Sequence, residues 1–141
     1  MIVPTRAMLA LAAALLGGAA ACDDGPTEPG DQLVPVVRAA SASVERGASI
    51  MLRLENRAPR ELRYNLCSGG RLQRLDGARW EDAWESFALC TPVLYPLLRG
   101  SNVEEEFYVP LGIPTGIHRV RVSFSDGDTT LIAYSNAFRV R

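Results

Sequence analysis

The sequence predicts an all-β fold: one antiparallel β-sandwich, carried behind an export leader and a short flexible stalk. Three observations carry that expectation. From Leu33 onward, apolar and polar residues alternate with period two. Glycine, proline, asparagine and aspartate interrupt the alternation at roughly the 8- to 12-residue spacing of a sandwich. No window shows a sustained helical period with caps at its ends.

The chain divides into residues 1–21, a signal peptide; 22–32, a modified N-terminus and linker; and 33–141, the sandwich domain. Met1 to Arg6 is a short positive start, Ala7 to Leu16 an unbroken apolar run, and Gly17 to Ala21 all small residues. That order is the pattern of a secretory leader. The apolar run falls short of the about 20 residues a spanning helix needs. Asp23 to Gln32 holds four acids, glycine and two prolines, with no large apolar residue to order it. Fully extended it reaches at most about 35 Å, which describes a stalk.

Within the domain, Ile50, Leu52 and Leu54 alternate with Met51, Arg53 and Glu55, and Leu62, Tyr64 and Leu66 with Arg63 and Asn65. Val103, Phe107 and Val109 share a parity opposite Glu104 and Glu106, while Glu105 interrupts the apolar side. Val120, Val122 and Phe124 oppose Arg119, Arg121 and Ser123, and Phe138 and Val140 oppose Arg139 and Arg141. Turns are expected at Asn56–Pro59, Ser68–Gly70, Asp76–Gly77, Arg99–Ser101, Pro114–Gly116 and Asp126–Gly127. Asp126-Gly127 between two strands is a hairpin signal, because the pair tolerates the positive φ such turns require.

The formal net charge is −1, and all 15 basic residues are arginines scattered among acids. That balance gives no basic face for nucleic acid.

Val109 to Val120 resembles the E–F corner of bacterial immunoglobulin-like domains, in which Pro-x-Gly-x-Tyr leads into strand F. Gly100–Val109 resembles the strand before it and Ser135–Val140 the last strand. The resemblance implies a single immunoglobulin-like β-sandwich over about Val44 to Arg141. His118 replaces the corner tyrosine; its parity points it inward, where the imidazole can donate to a backbone carbonyl in a structural role.

Ala19-Ala20-Ala21-Cys22 resembles the cleavage motif of bacterial lipoprotein precursors, with Ala19 in the place usually held by leucine. The resemblance implies that Cys22 becomes the mature N-terminus and carries palmitate-type acyl chains. Two or more chains suffice for stable anchoring. Ordinary secretion is the alternative, and would leave Cys22 a free thiol. The three cysteines favour the lipid: with Cys22 acylated, Cys67 and Cys90 remain to form a disulfide. A reduced pair or a metal site is the alternative there, and two cysteines without a nearby histidine make a poor zinc site.

Little chemistry is assembled. There is one histidine and no Gly-x-Ser-x-Gly elbow, so no cofactor, metal or catalytic residue is expected. Asp126-x-Asp128 has a spacing used by calcium loops without the remaining ligands. Trp80, Glu81, Asp82, Trp84 and Glu85 combine acids with aromatic rings and form the candidate ligand surface. The expectation is thus a non-enzymatic lipoprotein of the cell envelope, on the extracytoplasmic side of a bacterial membrane. Its domain would act as a binding or structural module toward an envelope protein or glycan. Two alternatives stand. Asn56–Pro59, Tyr64 and Pro114–Gly116 resemble the outline of the intracellular proteinase inhibitor family, which implies a protease inhibitor with Cys90 to Ser101 as the loop to inspect. The tryptophan–acid cluster would serve a carbohydrate-binding module.

Overall fold

A computed structural model describes residues 34–86 and 89–141. The leader, Cys22 and the stalk lie outside the described residues. Eleven strands and one short helix follow in order: β1 (Pro35–Ala39), β2 (Ser43–Val44), β3 (Ser49–Asn56), β4 (Leu62–Tyr64), α1 (Leu66–Gly69), β5 (Gly70–Asp76), β6 (Arg79–Glu85), β7 (Tyr95–Leu97), β8 (Asn102–Tyr108), β9 (Gly116–Ser125), β10 (Thr130–Tyr134) and β11 (Phe138–Val140). The chain is mostly β, in one antiparallel and one mixed sheet.

The smaller sheet runs β1-β3-β8, antiparallel throughout. Its period-two alternation sends Val37, Ile50, Leu52, Leu54 and Phe107 to one face, where all are buried. The larger sheet is organised around β9. Along one edge β9 pairs with β4 and β5, and along the other with β10 and β11. Beyond these lie β7 against β4 and β6 against β5. The two-residue β2 runs parallel to β11, which makes this sheet mixed.

Leu62, Leu72, Val120, Val122, Phe124, Phe138 and Val140 supply the buried face of the larger sheet, and they form one apolar cluster with the inner face of the smaller. Burying a side chain the size of Phe124 contributes roughly 1.5–3 kcal/mol, so the cluster is the main source of cohesion.

The strand expected to continue through Leu66 stops at Tyr64. Asn65 explains the break: its Oδ1 accepts from the backbone N–H of Cys67 at 2.9 Å and of Ser68 at 3.3 Å. This is an N-cap, and it starts the four-residue α1 in place of more strand. The β9–β10 hairpin turns as expected, with Gly127 at φ 101°. Asp126 Oδ1 accepts from Asp128 and Thr129 N–H, and Oδ2 accepts from the Thr129 hydroxyl and pairs with Arg60. Both oxygens serve the turn. No group of side chains suited to hold a metal occurs among the described residues, and no described helix is long and apolar enough to cross a membrane.

Candidate functional site

The candidate ligand surface lies on β6, and the structure divides it between two faces. The β5–β6 hairpin has a register shift between Leu72 and Gln73. Leu72 pairs with Trp84 and Gln73 with Asp82, so Ala83 is the extra residue of a bulge. Trp84 follows the buried Leu72 inward and meets Phe107 edge-on, ring centroids 6.0 Å apart. Trp80, opposite Leu75, lies on the outer face with Arg119. The two indoles therefore do not form one platform.

On the outer face, the Arg119 guanidinium lies 4.3 Å from the Trp80 ring centroid and 3.9 Å from that of Tyr134. Its Nε donates to Gln73 Oε1 at 2.8 Å, and Gln73 Nε2 donates to Asp82 at 2.8 Å. Desolvation between the rings lowers the Arg119 pKa from the ordinary arginine value. Glu85 is paired with Arg71. Glu81, on the other side of β6 from Asp82, is exposed opposite Arg74, and with Pro114 they line a cavity of about 200 Å³. Of the five surface residues, the acids are thus spread over two faces.

His118 stands at the start of β9 with no exposed surface, and its Nδ1 lies 3.2 Å from Gly116 O. A carbonyl only accepts, so Nδ1 carries the proton and Nε2 is left as a bare acceptor. Nε2 and Arg74 Nε are buried nitrogens without a hydrogen-bond partner among the described residues. Burial is the main cause lowering the His118 pKa; nearby Arg74 adds to it and the bond to Gly116 opposes it.

Cys67 and Cys90 are joined by a disulfide, Cα atoms 5.6 Å apart. The bridge fixes one end of the segment leading to β7. Asn65, 5% exposed, fixes the rest: its Nδ2 donates to Thr91 O at 2.9 Å and Val93 O at 2.8 Å. All the hydrogen-bonding capacity of one buried amide goes to holding α1 and this segment together. Val93, Leu94, Tyr95 and Leu98 are left exposed.

The sequence reading missed one further group. Glu105 sits in register with Leu52, on the inner face of β8. Its Oε1 accepts from the Tyr64 hydroxyl at 2.6 Å. Burial, then the bond to Glu105, raise the Tyr64 pKa well above the ordinary tyrosine range, so Tyr64 stays a donor. Tyr64 in turn lies 6.0 Å from Tyr95, centroid to centroid. The signal was present, since Glu105 is the acid that breaks the apolar parity of its strand.

No protein-family model matches the chain, and no curated protein matches it. Among solved structures, it is similar to the Pseudomonas fluorescens alkylpurine DNA glycosylase AlkC bound to DNA containing an abasic site analog, at 15% identity and a TM-score of 0.37. That match covers 76% of this chain and 29% of the glycosylase. It is also similar to Spo0M, a sporulation control protein from Bacillus subtilis, at 10% identity and a TM-score of 0.38, over 76% of this chain and 47% of that one. The chain therefore spans less than half of either of these two structures. The glycosylase match corrects one expectation: the prediction that the chain is not an enzyme does not stand, because a solved structure similar to it is an enzyme. At these TM-scores neither likeness supports an activity for this chain.

Proposed function

We propose that the chain is a lipoprotein held through Cys22 on the extracytoplasmic side of a bacterial membrane, with an immunoglobulin-like domain that binds or supports another envelope component. One observation carries the reading. Two of the three cysteines are bonded to each other, and the third, Cys22, directly follows an apolar run and small residues and precedes an acidic, proline-containing stretch. A structural disulfide also fits a compartment more oxidising than the cytosol. The immunoglobulin-like assignment is supported by strand order. A three-stranded β1-β3-β8 sheet faces a sheet in which β2 lies parallel to the last strand, followed by β9, β5 and β6. Cross-linking in the cell, recovery of the full-length chain and mass spectrometry of what is attached tests the module reading. One reproducible envelope partner is expected; recovery of the acylated chain with no partner counts against it.

Protease inhibition is a second reading, favoured by the exposed Val93–Tyr95 segment, whose flanking carbonyls Asn65 holds in place. A panel of endoproteases left uninhibited at micromolar concentration would exclude it.

A further inference from the structure

Tyr64, Tyr95, Glu105, Glu106 and the Cys67–Cys90 bridge, with neighbouring residues, line a cleft of about 340 Å³. Its size falls within the range of small-ligand sites. Its chemistry is one-sided: the described residues lining it include two carboxylates and two tyrosines, and no arginine or histidine. This contrasts with the rest of a chain that carries 15 arginines.

Glu105 is what needs explaining. An ionised side chain on the core face of a strand costs free energy unless it is partnered, and apolar side chains fill the neighbouring inward positions of β8, Val103 and Phe107. Only Oε1 has a partner among the described residues, the Tyr64 hydroxyl. The second oxygen keeps its lone pairs. Beside it, half-exposed Tyr95 presents ring surface to the same cleft. A partly desolvated carboxylate next to an accessible aromatic ring satisfies both requirements of an organic cation: a counter-charge and a π face.

We propose that this cleft is a binding site for an organic cation, a guanidinium or alkylammonium group, with Glu105 as counter-ion, the Tyr64 hydroxyl orienting the carboxylate and Tyr95 covering the alkyl stem. The site goes beyond the envelope-module reading and stands whether or not Cys22 is acylated. The cation can belong to a free small molecule or to a side chain of a polypeptide.

The test is titration of the full-length chain, in non-ionic detergent, with N-acetyl-arginine amide, followed by NMR of the Tyr95 ring. N-acetyl-citrulline amide, a neutral analogue of nearly the same shape, is the control. Saturable shifts with the arginine probe and none with citrulline are expected. Glu105→Gln should weaken binding at least tenfold, the loss expected for one charge-assisted bond in a partly desolvated site, with its thermal unfolding measured alongside. Should that variant fail to fold, Tyr95→Ser, at a half-exposed position, should still weaken binding several-fold. A peptide with an internal arginine that binds tenfold tighter than the amide assigns the cation to a polypeptide; equal affinity assigns it to a small molecule. Equal binding of arginine and citrulline probes, or unchanged affinity in the folded variants, overturns the proposal.

Discussion

Replacing both bridge cysteines, Cys67→Ala with Cys90→Ala, should cost the domain about 3.4 kcal/mol. The figure follows from the sequence separation of 23 and the loop-closure entropy that the cross-link removes from the unfolded chain. The native side should change little. Asn65 holds Thr91 and Val93 and caps α1 without the bridge, through bonds of 2.8 to 3.3 Å, so the segment keeps its place when the sulfurs are gone. The loss therefore belongs to the unfolded state, which gains freedom and exposes more surface. Urea unfolding should show a lower midpoint and a steeper dependence on denaturant, and the melting temperature should fall by roughly 10–20 °C. Against a typical domain stability of about 5–15 kcal/mol, this leaves a folded but marginal protein. Wild type unfolded in reductant should match the double variant. A loss below about 1 kcal/mol, or a loss with the denaturant dependence unchanged, would refute the chain-entropy argument for this bridge.

Three further outcomes can be measured by the same unfolding experiments. Asn65→Ala should cost about 2–3 kcal/mol by removing cap and tether together, while Asn65→Asp keeps the acceptor for α1 and loses the donor to Thr91 and Val93, so it should fall between; equal losses for both would contradict the division of roles. Gly70→Ala should destabilise by about 1–3 kcal/mol, because a Cβ there would meet Leu66 O at 2.5 Å and Phe107 Cε2 at 2.9 Å; an unchanged urea midpoint would contradict it. His118 has a folded pKa below its unfolded value, so the unfolded chain binds a proton in the ordinary histidine range that the native state refuses. Stability should be steady above that range and decline as pH falls through it toward the lowered folded value; His118→Gln should flatten this decline, and a wild type that gains stability over the same interval would contradict the burial argument.

Periodicity made much of this fold readable. In β3 and β9 alternate residues reach the shared core, in β8 Phe107 does so, and parity alone placed His118 inward. The Asp126-Gly127 hairpin was legible for the same reason that it forms, a residue tolerant of positive φ at the turn. What could not be read follows from devices that alternation cannot express. The extra residue at Ala83 reverses parity within β6 and sends Trp80 and Trp84 to opposite faces, so a cluster in sequence is no cluster in space. Asn65 ends a strand through its side chain, at a position where polar residues are ordinary in a strand's outward face. Glu105 was visible as an exception to its pattern, but its partner Tyr64 lies 41 residues away and is supplied only by the meeting of the two sheets.

The central claim is that this domain is tethered to a membrane through the cysteine outside the bridge. It is tested most directly by purifying the full-length product from the membrane fraction of its native cell and measuring the mass of the N-terminal proteolytic fragment. The account predicts a fragment that begins at Cys22 and carries a diacylglyceryl thioether, with Cys67 and Cys90 recovered as a disulfide. A fragment that begins at another residue, or a Cys22 that is unmodified, would contradict it.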